Sequence, residues 1–281
     1  MKLDLVDVFG SSALKGNPLG VVHAAYDLDA EQMLAITQWL GFSETTFLLP
    51  PSNPDADYLV RIFYPAGELP FAGHPTLGSC HAWLNTGGKP KRDGVIVQQC
   101  GIGLVEVRQD DDLLSFKAPD LVKTGPLDEA ELAEALRVSG ASPDAVVEAV
   151  HIANGPKWQL LRLQSADDVL AAEPAAKAPI GTDIGLAGPA ADGDGIDWEL
   201  RAFFGNQNGA VVEDPVTGSF NAGVAVHLFG EGLARDNYIA AQGRKIGADG
   251  KIMLSQDSDG SVWVGGKCAT IARGAELPSL A

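Results

Sequence analysis

The pattern of apolar and polar positions predicts many short strands and few helices. The first 64 residues contain four apolar runs bounded by Gly, Pro or polar residues: LDLVDVF, LGVVHAAY, TTFLLP and YLVRIFY. Runs of this length with such boundaries are typical of strands. Helical spacing appears between the second and third runs, where Met33, Ile36 and Leu40 share one face. Asp29 is the predicted N-cap of this helix, and Gly41 stands where it should end.

An internal repeat is the most informative feature of the sequence. Residues 68–78 read ELPFAGHPTLG and residues 213–223 read EDPVTGSFNAG, so that a Glu, a Pro and two Gly recur at the same spacing. A similar strand precedes each copy, RIFY at 61–64 and RAFF at 201–204. Further upstream, GNPLGVVHA resembles NGPKWQLLRL. Three matches in the same order indicate two halves built on one plan.

Each copy of the repeat opens a helix that is apolar nearly all round. The first helix begins with His74-Pro75, and the second is predicted to begin at Ser219 as its N-cap. A helix without a polar face is normally buried on every side. We therefore predict an α+β fold of two pseudo-symmetric domains, each a curled, mostly antiparallel sheet or barrel around a central apolar helix.

The repeat also sets the expected domain boundaries. Residues 1–122 form the first half and residues 123–260 the second. The sequence leaves the path of residues 261–281 open, and a return to pair with the first half is one option. Residues 171–195, rich in Ala, Asp and Gly, are expected at the surface.

Composition and charge narrow the classes of function. The net charge is −17, and the 20 Lys and Arg residues form no run. This balance argues against a nucleic-acid partner, because phosphate contacts need clustered basic residues. An anionic ligand would have to be held by local donors such as helix N-termini. The chain has three Cys without a CxxC spacing, and it lacks an apolar run of transmembrane length. Both features favour a soluble, cytoplasmic protein without a membrane partner.

Two candidate anion sites follow from the repeat. The first N–H groups of a helix have no intrahelical partner, and the helix dipole favours negative charge there. The two buried helices would present such groups at Gly73-His74 and at Gly218-Ser219. If the two halves face each other, both helix ends point into one cleft that suits a carboxylate or an enolate. The alternative is that these are ordinary structural turns.

Several stretches together resemble one known family. DVFGSSALKGNPLGVV, FSETTF, ELPFAGHPTLG, EDPVTGS, QGRKIGADGKI and VWVGGKC are similar to the PhzF-like phenazine biosynthesis family, over nearly the whole chain. Its members share the diaminopimelate-epimerase-like fold, with the active site between two domains. The resemblance implies an isomerase without a cofactor that forms a homodimer. The spacing of the remaining His residues predicts no metal site. The best-known activity of the family moves a proton within trans-2,3-dihydro-3-hydroxyanthranilate.

The resemblance also implies roles for individual residues. Glu44 in FSETTF matches the acid/base of the family. Its implied partners are His74 and Asp214, and the implied substrate-carboxylate site consists of Gly73, Gly218 and Ser219. From the residues alone, a capping or surface position of Glu44 is favoured, and only the resemblance reverses this; His74 could instead be a structural cap of its helix.

Two departures from related proteins bear on the reaction. Amino-acid epimerases of this fold use a Cys at each central helix N-terminus, where this chain has Ala72 and Thr217, so a single carboxylate is favoured over two thiols. Phe220-Asn221 follows the Ser of EDPVTGS where relatives have Ala-His, and a bulkier Phe there is expected to change the shape of the cleft. The alternatives are an amino- or hydroxy-acid racemase, with Asp214 or His74 as second base, and a non-catalytic binding protein.

Overall fold

The computed structural model describes residues 1–193, 195–234 and 236–278. They contain sixteen β-strands and five α-helices. The strands are β1 (Lys2–Val8), β2 (Asn17–His23), β3 (Glu44–Leu49), β4 (Tyr58–Tyr64), β5 (Gly67–Leu69), β6 (Val95–Cys100), β7 (Gly103–Asp110), β8 (Leu113–Lys117), β9 (Val146–His151), β10 (Gln159–Leu163), β11 (Asp183–Pro189), β12 (Trp198–Gly205), β13 (Val211–Asp214), β14 (Tyr238–Gln242), β15 (Gly250–Gln256) and β16 (Val262–Glu276). The helices are α1 (Ala30–Leu40), α2 (Gly73–Asn85), α3 (Glu129–Ser139), α4 (Ala166–Ala171) and α5 (Gly218–Gly230).

The chain divides into two units. Unit 1 consists of residues 1–117 and the described part of 265–281, and unit 2 of residues 118–264. The chain thus changes unit directly after β8 and again within β16. The sequence placed these changes at 122/123 and, for the option of a returning segment, at 260/261. Residues 279–281 of that segment lie outside the described residues.

Unit 1 is a closed barrel around α2. Its strand order is β1-β2-β3-β4-β6-β7-β8-β16, and β16 pairs with β1 in antiparallel orientation, which closes the barrel. The β2–β3 and β4–β6 pairs are parallel, and the β1–β2, β3–β4, β6–β7 and β7–β8 pairs are antiparallel. Helix α2 packs against β1, β2, β3, β6 and β8. The barrel wall therefore surrounds the apolar helix that the sequence predicted to be buried.

Unit 2 repeats this topology. Its strands follow the order β9-β10-β11-β12-β14-β15, and the parallel pairs, β10–β11 and β12–β14, occupy the same places as in unit 1. The short strand β13 pairs with β12 as β5 pairs with β4. Strands β9 to β15 thus correspond to β1 to β7, and α4 and α5 to α1 and α2. This correspondence confirms the predicted pseudo-symmetric α+β fold.

The repeated Arg and Glu form one ion pair in each unit. Arg61 donates two hydrogen bonds to Glu68, at 2.7 and 2.6 Å, and Arg201 donates two to Glu213, at 3.0 and 2.7 Å. Each guanidinium also lies over the ring of the phenylalanine two positions later, at 5.1 and 4.9 Å. The side chains are 28% and 42% exposed in the first pair, but only 2% and 8% in the second. One sequence motif therefore gives the same contact in two different environments.

The second glycine of each motif lets the central helix approach its sheet. A Cβ added to Gly78 would lie 2.5 Å from a methyl group of Leu19, and one added to Gly223 would lie 2.8 Å from the carbonyl oxygen of Ile152. Both distances are shorter than van der Waals contact. The repeat of this glycine is thus explained by close packing of the helix against the sheet.

Helix α1 confirms the clearest local prediction. Asp29 is its N-cap and forms a capping box with Gln32, and Gly41 ends it in the left-handed conformation. Met33 and Ile36 are buried in an apolar cluster on the outer side of the unit 1 sheet. The apolar spacing and the two end signals act together here.

The expected surface segment 171–195 contains a buried strand, so that expectation was wrong for residues 183–189. Strand β11 pairs with β10 and β12, and five of its seven residues are buried. Its small residues resemble a loop in composition, but they are required by packing. A Cβ on Gly185 would lie 2.0 Å from the ring of Phe220. Asp194 lies outside the described residues.

Candidate active site

In unit 1, β3 and α2 bring Glu44 and His74 together. Glu44 is the first residue of β3, and His74 is the second residue of α2, which packs against β3. Glu44 Oε2 lies 3.5 Å from His74 Nε2, and the two side chains are 18% and 5% exposed. Glu44 is therefore neither a surface residue nor a helix cap, which were the alternatives from sequence.

His74 is neutral at physiological pH. Burial lowers the pKa of its imidazole to about 3, because the protonated ring would lose its hydration. A neutral imidazole beside a carboxyl group can hold that group in one orientation without placing a positive charge beside it.

The two central helices differ from the other three in how they begin. Helices α1, α3 and α4 each have an N-cap side chain that accepts a hydrogen bond from the first turn. Helices α2 and α5, with Ala72 and Thr217 as N-caps, have none. The first N–H groups of these two helices, at Gly73 and at Gly218, are thus not satisfied by a cap. Uncapped helix N-termini favour a bound anion.

Thr217 does not cap α5, because its hydroxyl group is used elsewhere. Thr217 Oγ1 donates to Asp214 Oδ2 at 2.5 Å and accepts from Gln242 Nε2 at 2.8 Å. Gln242 Oε1 in turn accepts from the Thr217 backbone N–H at 3.1 Å. These bonds fix Asp214 relative to the start of the helix. The prediction that Ser219 is the N-cap was wrong, since Ser219 is the second residue of α5.

Ser219 is held by two side chains from the segment before β10. The indole N–H of Trp158 donates to Ser219 Oγ at 3.0 Å, and Asn154 Nδ2 donates to the Ser219 carbonyl oxygen at 2.8 Å. The neighbouring Phe220 is fully buried, with its ring 5.2 Å from that of Trp158. The expectation that Phe220 changes the shape of a ligand cleft was therefore wrong, because its ring fills the core of unit 2.

The strand registers show how the two units differ at equivalent positions. The repeat aligns Tyr64 with Phe204, and the residues opposite them on the neighbouring strands are Glu44 and Asp183, so that Glu44 corresponds to Asp183. On the next strands, Leu19 pairs with Glu44, and Trp158 precedes Gln159, the partner of Ile184. Leu19 therefore corresponds to Trp158. The motif repeat aligns His74 with Ser219. Unit 1 therefore places a carboxyl–imidazole pair at the start of its central helix, and unit 2 places an indole–hydroxyl pair there.

The remaining histidines and cysteines have structural surroundings. His23, His81, His151 and His227 each lie within hydrogen-bond distance of a polar side chain: Asp4, Thr270, Glu131 and Glu148, respectively. Burial raises the pKa of the Cys80 thiol far above its usual range. Within the described ranges, no group of three or more His, Cys, Asp or Glu could hold a metal ion, and no helix is long and apolar enough to span a membrane.

The predicted site residues thus form two clusters, one in each unit. Gly73, His74 and Glu44 belong to unit 1, and Asp214, Gly218 and Ser219 to unit 2. That Asp214 acts together with Glu44 and His74 stays a prediction. Sequence reasoning missed Trp158 and Gln242, although both lie in stretches that carried the repeat or the family resemblance.

Comparison with known proteins identifies the family. Residues 6–274 match the model of the PhzC-PhzF family, described as phenazine biosynthesis-like proteins. Antisense-enhancing sequence 1 of Schizosaccharomyces pombe is 33% identical, over 96% of each chain. The trans-2,3-dihydro-3-hydroxyanthranilate isomerase of Pseudomonas fluorescens is 35% identical over 80% of this chain and 78% of its own. The solved structure of a Bacillus anthracis PhzF-family protein superposes with a TM-score of 0.81 at 20% identity, covering 99% of both chains.

The fold is thus of the diaminopimelate-epimerase-like class. The chain belongs to the phenazine biosynthesis-like PhzC-PhzF family, and it is an isomerase, as its enzyme-named relatives are.

Proposed function

We propose that this isomerase moves a proton between two carbons of a small carboxylate-bearing substrate, with Glu44 as the acid/base and without a cofactor. The observation that carries the proposal is the position of Glu44, which is mostly buried and 3.5 Å from the neutral His74. Burial favours the protonated form of a carboxyl group over its carboxylate, which helps one group to serve as base and then as acid.

The proposed reaction needs no net proton donor or acceptor. The Glu44 carboxylate removes a proton from a carbon next to an unsaturated system, and the electron pair of the broken C–H bond enters that system. Protonated Glu44 then returns the proton to a second carbon. Neutral His74 orients the carboxyl group throughout, and Asp214, fixed by its bond with Thr217, acts as a further polar group of the site.

The uncapped helix N-termini support an anionic substrate. In the proposal, the first-turn N–H groups at Gly73 and Gly218 and the hydroxyl of Ser219 bind the substrate carboxylate, and the positive ends of the two helix dipoles stabilise the delocalised anion. This requires the N-termini of α2 and α5 to meet around one substrate, as the pseudo-symmetry led us to expect. The relative named trans-2,3-dihydro-3-hydroxyanthranilate isomerase supports a substrate of this chemistry.

A racemase remains the second candidate, but one observation weighs against its two-thiol form. The N-cap positions of both central helices are occupied by Ala72 and Thr217, and Cys80 is buried within α2. Exchange of substrate hydrogen on both faces of one carbon would favour a racemase with a second, non-thiol base. A binding protein would give a melting shift with a ligand but no exchange. The homodimer and the cytoplasmic location stay predictions.

Proton NMR in heavy water tests the proposal. The protein, its Glu44→Gln variant and a control variant, Glu31→Gln, are each mixed with trans-2,3-dihydro-3-hydroxyanthranilate. Glu31 is exposed in the first turn of α1, so its replacement by Gln should leave turnover unchanged. We expect isomerisation with deuterium uptake, slowed by about 10²–10⁴-fold in Glu44→Gln because loss of a general acid/base has effects of this size. Normal turnover by Glu44→Gln would refute the role of Glu44.

A further inference from the structure

The indole of Trp158 is held in one position against the hydroxyl of Ser219. Trp158 is only 4% exposed, and its Nε1–H donates to Ser219 Oγ at 3.0 Å. Its ring packs against Phe220 at a centroid distance of 5.2 Å. The Phe220 ring in turn lies directly over Gly185, where a Cβ would not fit. The indole therefore cannot turn away from Ser219 without disrupting the core of unit 2.

This contact makes the Ser219 oxygen an acceptor and leaves the hydroxyl proton for another bond. An indole N–H is only a donor, so Ser219 Oγ must be the acceptor of this bond. Among the residues that the structure describes, the Ser219 hydroxyl donates to no protein acceptor. Its proton is thus available for an acceptor outside the protein. Accepting a hydrogen bond also makes a hydroxyl a better donor, because hydrogen bonds in a chain polarise one another.

The other contacts of this residue point to the same ligand. Ser219 is the second residue of α5, so its backbone N–H lies in the uncapped first turn. Asn154 donates to its carbonyl oxygen at 2.8 Å and holds the backbone in place. The N–H group and the hydroxyl are then both donors at one helix end, where the dipole favours negative charge. A carboxylate can accept both bonds.

We infer that Trp158 is a positioning residue that fixes the Ser219 hydroxyl as a donor to the substrate carboxylate. The inference rests on the proposed function and assigns the two units different contacts with the substrate. Unit 2 adds a side-chain donor for the carboxylate, the Ser219 hydroxyl fixed by Trp158, to the first-turn N–H groups. The equivalent of Trp158 in unit 1 is Leu19, whose side chain has no hydrogen-bond donor, so that this position in unit 1 cannot fix a hydroxyl group in the same way.

Binding measurements with a ligand that has no proton to move test the inference independently of turnover. The probe is 3-hydroxyanthranilate, the aromatic counterpart of the substrate of the relative, and its carboxamide is the control ligand. Affinities are measured by titration calorimetry for the wild type and for the Trp158→Phe, Ser219→Ala and double variants. Trp263→Phe is the matched control variant, because Trp263 also lies in unit 2 and donates its indole N–H to a carboxylate, Asp257 Oδ2, at 3.1 Å.

We expect Trp158→Phe to weaken carboxylate binding by about 3–10-fold, the range for one lost hydrogen bond. Ser219→Ala should weaken it by at least as much, and the double variant should bind no more weakly than Ser219→Ala alone, because the indole acts through the hydroxyl. The carboxamide, whose neutral carbonyl oxygen is a weaker acceptor, should lose less affinity than the carboxylate in each variant. Trp263→Phe should bind both ligands as the wild type does.

Four results would overturn the inference. Three are additive losses in the double variant, an equal loss for carboxylate and carboxamide, and failure of the wild type to prefer the carboxylate. The fourth is a loss equal to that of Trp263→Phe, which would mean a general effect on stability. None of these results depends on Glu44. Where turnover is measurable, Trp158→Phe should raise KM with kcat nearly unchanged, since the bond is made equally in the ground and transition states.

Discussion

The repeated Arg–Glu pair allows one perturbation to be made twice in the same molecule. Replacing Arg61 or Arg201 by Met keeps most of the aliphatic length and removes the guanidinium. In unit 1 this breaks a bidentate pair that is 28% and 42% exposed. In unit 2 it breaks a pair that is 2% and 8% exposed. The sequence change is identical, so any difference in unfolding free energy reports the environment.

The structure gives the expected size of each effect. Exposed ion pairs contribute about 0–1 kcal/mol, because water solvates both charges when the pair is broken. Arg201 also donates to the carbonyl oxygens of Val169 and Ala172, at 3.2 and 2.5 Å. Its removal leaves Glu213 charged and buried without its guanidinium partner. Loss of one partner from a buried pair destabilises by about 3–5 kcal/mol.

Urea denaturation, followed by circular dichroism and tryptophan fluorescence, measures both effects. We expect Arg201→Met to lower the unfolding free energy by at least 2 kcal/mol more than Arg61→Met, the difference between the two ranges above. Replacing both partners, Arg201→Met with Glu213→Leu, should recover much of the loss, since no buried charge remains. Equal effects at the two sites would refute the argument from burial, and so would a double variant as unstable as the single one.

Three further predictions concern stability. Burial lowers the pKa of His74 from 6.5 to about 3, so that between these pH values the unfolded chain binds a proton at His74 that the folded chain does not. The contribution of His74 to the unfolding free energy is therefore complete above pH 6.5 and is lost as the pH falls towards 3. His74→Gln should therefore reduce the drop in unfolding free energy between pH 7 and pH 5 by about 2 kcal/mol; an unchanged drop, again measured in urea, would contradict this. Gly185→Ala places a methyl group against Phe220 and should destabilise by about 1–3 kcal/mol, which Phe220→Leu in the same chain should partly relieve; a melting temperature equal to the wild type would refute the clash. Asp29→Ala removes the capping box with Gln32 and should cost about 1 kcal/mol, while Asp29→Asn should be nearly neutral.

Local signals and the repeat predicted much of the fold. Helix α1 was predicted with both ends, because Asp29 and Gly41 flank a regular apolar spacing. The pseudo-symmetry followed from glycines and acidic residues whose spacing is fixed by helix–sheet contacts. Strand β11 was missed because its small residues are explained only by the Phe220 ring that packs over Gly185. Such a contact joins residues far apart in sequence and leaves no local pattern.

The candidate site was predicted less completely. Family motifs pointed to Glu44 and Ser219, but they could not show that Thr217 uses its hydroxyl for Asp214 instead of capping α5. Trp158 carries no motif of its own, and its importance depends on a single indole hydrogen bond. Residues that act on other site residues are defined by geometry, so a single sequence does not reveal them.

The path of β16 has a consequence for synthesis on the ribosome. The barrel of unit 1 needs the pairing of β16 with β1, yet 147 residues of unit 2 (118–264) are made between β8 and the part of β16 that belongs to unit 1. Until residues beyond 264 emerge, β1 and β8 are both open edges in the nascent chain, and open edges can pair with other chains. Unit 2, by contrast, is one continuous stretch. The half that is translated first is thus the half that is completed last, which reverses the usual order of cotranslational folding.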